Sequence, residues 1–376
     1  MKNIAGKIYQ ILRTQKVLDC AFVCMVVSMF WVPPSLNYLK AIDWRVLALL
    51  FSLMLVIAAL ERQGVFRLLA QKLLMYANNQ RSLVLILVLL TFVSSMFITN
   101  DVALITFVPF AILLLQMVNL ERNIAYVVVL QTIAANTGSM LTPLGNPQNL
   151  YLYNYYQYAA GEFIWAMLPL TLVCLVALII SCLAMPSKDL TIDFAQKERI
   201  TDKKLLGINL FLFGLCILSV LRILPYYILV VIIIAAMAVS QRDMFIRVDY
   251  SLLGTFVCFF IFVGNLQEIP QIAEFLKANL ADYPLALPIV VSQIISNVPA
   301  ALLLCSFADN GLLLLWGVNI GGLGTLIASM ASLISYKYFV RFAPTETLHY
   351  MKLFTIANII GLIVLIACGM AVLKIM

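Results

Sequence analysis

Four short polar strings interrupt otherwise apolar stretches of this chain, and they hold the residues with chemistry to offer. The first is Thr99-Asn100-Asp101, set between VLILVLLTFVSSMFI and VALITFVPFAILLL. Backbone groups that leave a helix at membrane depth must find partners in protein or water, and Thr and Asn supply them. Asp101 is the one carboxylate that falls deep inside an apolar region; placing an acid there costs about 2.5–3.5 kcal/mol on insertion scales. No Lys or Arg lies in the apolar core to pair with it. That pattern suits cation coordination or reversible protonation; the alternative is a helix cap for the second arm. Ser296-Asn297-Val298-Pro299 is the matching string later in the chain, with Pro in the first turn where a helix start tolerates it, and with no acid. The alternative there is a plain polar turn between two spans.

The longest interruption runs from Asn136-Thr137-Gly138-Ser139 through Thr142-Pro143-Leu144-Gly145-Asn146-Pro147-Gln148-Asn149. Its counterpart runs from Asn319-Ile320-Gly321-Gly322 to Thr325. Such stretches read as unwound segments lining a cavity, because they cannot face lipid. Half-helix N-termini at the breaks hold an anion without Lys or Arg, and carbonyls at the opposite ends hold a cation. Elsewhere the chain offers less. The eight cysteines lie in or beside apolar runs without metal spacing, and His349, the only histidine, reads as a surface residue. Glu61 reads as a loop acid; Tyr151, Tyr153, Tyr155, Tyr156 and Tyr158 read as an interfacial belt or as the flank of an entrance. A nucleotide-binding Gly-Lys loop, a His-rich metal motif and a Ser-His pair are all missing, which argues against an enzyme.

The elements that must position these strings follow from composition. Of the 376 residues 64% are hydrophobic and 11% charged, about half the charge of a soluble domain. The bilayer is therefore the solvent. The net charge of +7 is scattered through short loops, which excludes a nucleic-acid face. Apolar runs at 17–35, 45–60, 163–185, 205–221, 224–240, 249–264 and 352–374 each predict one spanning helix. The segments 82–118 and 284–308 predict hairpins that enter and leave on one side; 122–157 and 309–340 predict broken helices, each crossing once. Residues 64–77 and 270–280 are amphipathic and suit the interface. With the N-terminus inside, only Lys40, Arg45, Arg222, Lys277 and Lys374 of the 24 basic residues lie outside. This bias predicts a multi-pass protein of the inner (plasma) membrane with a cytoplasmic N-terminus.

The halves also repeat. DWRVLALLFSLMLVIAALERQGVFRLLAQKLL from Asp43 resembles DYSLLGTFVCFFIFVGNLQEIPQIAEFLKANL from Asp249, and FITNDVALITF resembles IISNVPAALLL. AANTGSMLT (134–142) matches GVNIGGLGT (317–325) in its Asn and Gly-Thr placement. The helix at 205–221 inverts the second copy, and inverted repeats are a secondary-transporter signature. The expected organisation is a tail (1–16), a first repeat (17–185), a cytoplasmic loop and linking helix (186–223) and a second, inverted repeat (224–376).

TNDVALITFVPF, ANTGSMLTPLGNPQNL and SQIISNVPA resemble the ion transporter superfamily. That group includes arsenite-efflux and NhaD-type sodium/proton carriers and divalent anion/sodium symporters; the likeness is greatest to its citrate-transporter-like bacterial anion permeases. It covers nearly the whole chain. The resemblance implies an all-α, elevator-type homodimer in which a scaffold holds a transport domain carrying both hairpins and both broken helices. The superfamily's tip patterns fall on Thr99-Asn100-Asp101 and Ser296-Asn297-Val298. The first tip reads Asp where dicarboxylate symporters have Thr, and this Asn-Asp pair resembles the arsenite-efflux branch, often proton-coupled. The expected function is secondary active transport of a small inorganic or organic anion, coupled to sodium or protons. Coupling falls to Thr99, Asn100, Asp101, Asn136, Thr137 and Gly138, with sodium at Asn100, Asp101 and Asn136 as the only expected bound ion. Substrate contacts fall to Asn100, Thr142, Pro143, Gly145, Asn146, Ser296, Asn297, Asn319, Gly321, Gly322 and Thr325. A cation/proton antiporter, or a channel-like anion pore, is the alternative.

Overall fold

A computed structural model describes residues 16–190, 200 and 202–375. The expected N-terminal tail therefore lies outside the described residues up to position 15, as do 191–199 and 201 of the expected 186–223 loop. The described chain is helical, with one isolated antiparallel bridge between Asn79 and Asp189. The first half comprises α1 (Lys16–Ser28), α2 (Asn37–Ala41), α3 (Trp44–Arg62), α4 (Val65–Leu74), α5 (Gln80–Ser94), α6 (Asn100–Met117), α7 (Ile124–Gly138), α8 (Pro147–Tyr155) and α9 (Ala160–Leu183). After α10 (Lys203–Val220) come α11 (Tyr226–Ser240), α12 (Tyr250–Gln267), α13 (Pro270–Asp282), α14 (Ala286–Ile295), α15 (Asn297–Leu304), α16 (Gly311–Ile320), α17 (Met330–Phe342) and α18 (Thr347–Ile375).

Among the described residues seven helical segments are long and apolar enough to cross a membrane, so the chain is a polytopic helical membrane protein. Two departures from expectation have local causes. The predicted span 17–35 stops at Ser28, because Pro33-Pro34 cannot continue a helix and the chain restarts at Asn37. Glu121–Leu141 is long enough to cross alone, since short 3-10 turns at Glu121–Asn123 and Ser139–Leu141 extend α7 at both ends.

The four breaks form where the polar strings stand. α5 and α6 part over residues 95–99; α14 and α15 part at the single residue Ser296. At 18 residues, about 27 Å, α6 alone nearly spans a hydrocarbon core of about 30 Å, whereas α5, α14 and α15 have 15, 10 and 8 residues. α7 and α8 part over 139–146, and α16 and α17 over 321–329.

The described residues fall into two compact units. The first draws on 16–59, Phe211–Pro284 and Leu302–Asp309. In it α1 packs along α12 so closely that a Cβ on Gly254 would lie 3.2 Å from Leu18, and Asn265 donates to Ser28 (2.9 Å) and Tyr38 (3.0 Å). The second draws on the described residues of 60–210 together with Leu285–Ala301 and 310–375, and all four polar strings lie in it. Its centre is α7: 89% of the most apolar window of Glu121–Leu141 is buried, against 17% for Pro344–Lys374, which turns its side chains outward. Small residues let the central helices close up. A Cβ on Gly138 would fall 2.1 Å from the Phe92 carbonyl and 2.6 Å from Ser95 Oγ, and one on Gly321 would fall 2.7 Å from Ser292 Cβ.

Candidate functional site

The two hairpin tips share an unusual backbone. Thr99 has φ 34° and ψ 145°, and Ser296 has φ 77° and ψ 154°, a region that residues with a Cβ rarely adopt. The strain turns the next residue so that its N–H leaves the hairpin. Asn100 N–H donates to the Gly145 carbonyl at 3.0 Å, and Asn297 N–H donates to the Ala328 carbonyl at 3.0 Å. Each tip is thereby fastened to the unwound stretch just before a half-helix. Thr142 adds a hydroxyl bond to the Met96 carbonyl, and Ser296 Oγ reaches Ala328 O at 3.3 Å.

A chain of side-chain amides and hydroxyls then ties the breaks together. Asn136, at the end of α7, accepts from Asn100 Nδ2 (3.1 Å) and from Ser329 Oγ (2.9 Å), and donates to Ser332 Oγ (3.3 Å). Asn319, at the end of α16, donates to Asn149 Oδ1 (2.7 Å) and accepts from Asn146 Nδ2 at 3.5 Å. The register that pairs Asn136 with Asn319 carries Asn146 onto Ser329 and Asn149 onto Ser332. The Asn ending each first half-helix thus bonds the same two positions of the other break. Ser139 links the two sets, donating to the Asn136 carbonyl (2.9 Å) and accepting from Asn146 Nδ2 (3.2 Å). Asn149 Nδ2 gathers the carbonyls of Ser139, Met140 and Thr142 at 3.1–3.2 Å, which fixes the unwound path.

Electrostatically the cluster is neutral. No buried side chain among the described residues is Asp, Glu, Lys, Arg or His, and those of the cluster are Ser, Thr, Asn and Gln. Positive potential comes from backbone: α6 and α8 start beside each other through Asn100 and Gly145, α15 and α17 through Asn297 and Ala328, and Asn136 joins the starts of α6 and α17. Four helix N-termini, each worth about half a unit of positive charge, gather at one place. Gln148, in the first turn of α8, is 1% exposed and its Oε1 has no hydrogen-bond partner among the described residues. A buried unsatisfied acceptor calls for a ligand, an ion or a water.

Of the residues singled out in the sequence, Asn100, Asn136, Asn146 and Asn319 meet in this network, and Thr142 and Gly145 shape its loop. Thr99 and Ser296 supply the strained turns. Asp101 lies in the first turn of α6, half-buried, with its N–H donating to Asn100 Oδ1 (3.0 Å); the helix-cap position belongs to Thr99. Thr137 turns back to the Ile133 carbonyl (2.7 Å), Gly138, Gly321 and Gly322 are close-packing positions, and Pro143 is buried. Thr325 is exposed, bonded through its N–H to Gln293 Oε1 (2.8 Å). Gln293 also donates to the Gly321 and Leu323 carbonyls (2.8 and 3.0 Å), bracing the second break. Asn136 Oδ1, an expected sodium ligand, takes two donors, and the Asp101 carboxylate is the acid next in the chain to this neutral cluster.

Ser139 and Asn149 stand in the longest polar string without an assigned role, and Gln293, Ser329 and Ser332 are not among the expected site residues. Ser329 and Ser332 sit in an ordinary-looking ASMASLIS string; extending the 134–142/317–325 alignment by seven residues would have reached them. Tyr151 and Tyr153 are 4% and 2% exposed, core residues of α8 and not interfacial ones, whereas Tyr155 is 43% exposed. At the turn after α8, burial first and the Glu162 carboxylate second push the Tyr158 hydroxyl up to about 12, so it stays neutral. His349 is exposed, as expected. No group of three or more His, Cys, Asp or Glu able to hold a metal occurs among the described residues.

Known proteins place this chain. The family described as citrate transporter matches residues 9–312. The inner membrane protein YbiR of Escherichia coli is 32% identical over 313 residues, covering 82% of this chain and 83% of that one. The uncharacterized transporter MJ0456 of Methanocaldococcus jannaschii is 32% identical over 298 residues, covering 79% and 81%. A shorter likeness, 35% over 115 residues, links 30% of this chain to 23% of the silicon efflux transporter LSI3 of Oryza sativa. Matched over most of its length, with apolar spans to suit, the chain is a multi-pass membrane transporter belonging to the citrate transporter family.

Proposed function

We propose that the protein is a secondary active transporter of a small anion, driven by sodium or protons, with the substrate held among the half-helix N-termini around Asn100, Asn146, Asn297 and Asn319. The observation that carries this reading is the reciprocal exchange at the breaks: Asn136 with Ser329 and Ser332, Asn319 with Asn146 and Asn149. Bonds that swap identically between two copies are what a two-fold relation produces. They support an internal inverted repeat, as do the matched strained tips. A carrier with such symmetry reaches its two faces by exchanging equivalent conformations of its halves. A neutral pocket lined by helix N-termini suits an anion that must bind and leave, since dipoles attract charge without an ion pair to break. Citrate, the substrate in the family's name, is the first to try.

Coupling then falls to Asp101 on the first tip, beside Asn100. An elevator motion of the second unit, a dimeric scaffold, re-entrant hairpins and a cytoplasmic N-terminus belong to the same reading. Cation/proton antiport without an anion is the second reading, and Asp101 is the residue that favours it. The test is purified protein in liposomes with citrate, phosphate, sulfate and arsenite outside, and sodium, proton and voltage gradients imposed separately. Saturable, gradient-driven accumulation supports the anion carrier. Sodium-dependent proton movement with no anion present supports antiport, and unsaturable conductance supports a pore.

A further inference from the structure

An anion reaching the Asn cluster meets helix dipoles and no formal positive charge, because every buried polar side chain described is neutral. Formal positive charge lies nearby on α17. Lys337 and Arg341 are one turn apart on one face of that helix, both exposed. With Tyr338, Ile334 and, from α6, Ile105, they line a cavity of about 220 Å3 that contains two cations and no acid. Neither cation makes an ion pair or hydrogen bond with another described residue. Like charges four residues apart on a helix destabilise it, so an unpaired pair sharing a cavity is arranged for a counter-charge.

The place of this cavity in the fold gives it a use. α6 and α17 both begin at the Asn cluster, with Asn100 in one first turn and Ser329 and Ser332 at the start of the other. Lys337 is five residues beyond Ser332 and Arg341 nine, roughly 8 and 14 Å along the helix axis. Ile105 is one turn beyond Asp101. The cavity thus lies in the seam between the two helices that lead into the cluster. The register that relates the two breaks puts Asn154 and Tyr158 opposite Lys337 and Arg341, so the cationic mouth exists in one copy only.

We propose that Lys337 and Arg341 form a capture site for an oxyanion at the mouth of the α6–α17 seam, one step outside the neutral Asn cluster. The proposal rests on the anion-carrier reading above and adds a residue pair, a location and a sidedness to it. Exposed charges at a mouth act on encounter and on the salt dependence of binding more than on the translocation step. Asp101, the nearest acid on the same seam, repels the anion until the coupling cation or proton neutralises it, which ties capture to coupling.

The experiment uses the full chain in phosphatidylcholine nanodiscs with Ile334→Cys as reporter, read by peptide mass spectrometry at position 334. Labelling rates are compared for an anionic (sulfonatoethyl) and a cationic (trimethylammonioethyl) methanethiosulfonate at low salt. The expected anionic-to-cationic ratio is about tenfold above that of the same reporter carrying K337Q and R341Q, and millimolar citrate or sulfate slows the anionic reagent. A ratio unmoved by K337Q/R341Q overturns the proposal. Protection by phosphatidylglycerol but not by soluble citrate or sulfate also overturns it, making the pair a lipid-headgroup contact. In liposomes, K337Q/R341Q is expected to raise the KM for citrate about tenfold at unchanged kcat, with R341K close to wild type; an unchanged KM in a monodisperse variant counts against capture. If the wild-type protein moves none of the anions tried, the carrier reading fails, while the labelling ratio still decides the site.

Discussion

Asn136→Ala tests the joint between the two breaks. The substitution removes an acceptor for Asn100 Nδ2 and Ser329 Oγ and a donor to Ser332 Oγ, three bonds of 2.9–3.3 Å inside a cluster where these residues are 0–5% exposed. Interhelical hydrogen bonds in membranes average about 0.6 kcal/mol and reach about 1.7. Three lost bonds therefore cost about 2 kcal/mol, with about 5 as the ceiling. Stranding buried donors pushes toward the upper figure. The assay is reversible unfolding of the purified protein in mixed micelles by increasing dodecyl sulfate. A double-mutant cycle with Ser329→Ala isolates one bond, with an expected coupling of about 0.6–1.7 kcal/mol. Asn319→Ala is expected to cost a comparable amount, since it loses the equivalent bonds to Asn146 and Asn149. A loss under about 0.5 kcal/mol for Asn136→Ala, or zero coupling with Ser329→Ala, would refute the reasoning that these side chains join the breaks.

Other perturbations probe the same architecture. Gly138→Ala places a methyl 2.1 Å from the Phe92 carbonyl; because both are held in packed helices, a destabilisation of about 1–3 kcal/mol is expected in the same micelle titration. Thr99→Gly relieves a positive φ of 34° and is expected to leave stability unchanged or raise it by up to about 2 kcal/mol, whereas Thr99→Val is expected to lower it. Asp101→Asn keeps the shape of the first tip and removes its charge; anion exchange across the liposome is expected to persist while its dependence on sodium or proton gradients disappears. Gradient dependence identical to wild type would take Asp101 out of the coupling role.

Much of this arrangement can be read in the residues, and the limits have physical causes. Pro, Gly and Asn mark the breaks because those residues disfavour or redirect a helix locally, so the unwound stretches 142–146 and 321–329 stand where the strings do. Asn136 and Asn319 stand out because an amide is rare in an apolar run. Ser329 and Ser332 do not, since serine at a helix start needs no special partner, and theirs lies more than 190 residues away in sequence. Such a bond leaves no local trace; only the repeat register exposes it. Asp101 looks deep by sequence position, yet a side chain in the first turn of a helix can turn outward, and this one is half-buried. The tail of the predicted span 17–35 failed on a signal that was present, Pro33-Pro34.

The most direct measurement is uptake of labelled citrate, phosphate, sulfate or arsenite into liposomes carrying the purified protein, with sodium, proton and voltage gradients applied one at a time. The expected result is saturable accumulation above the external concentration under a sodium or proton gradient, with exchange against the same anion preloaded inside. Flux that never exceeds the external concentration under any gradient, or that rises without saturation, would contradict a secondary active anion transporter.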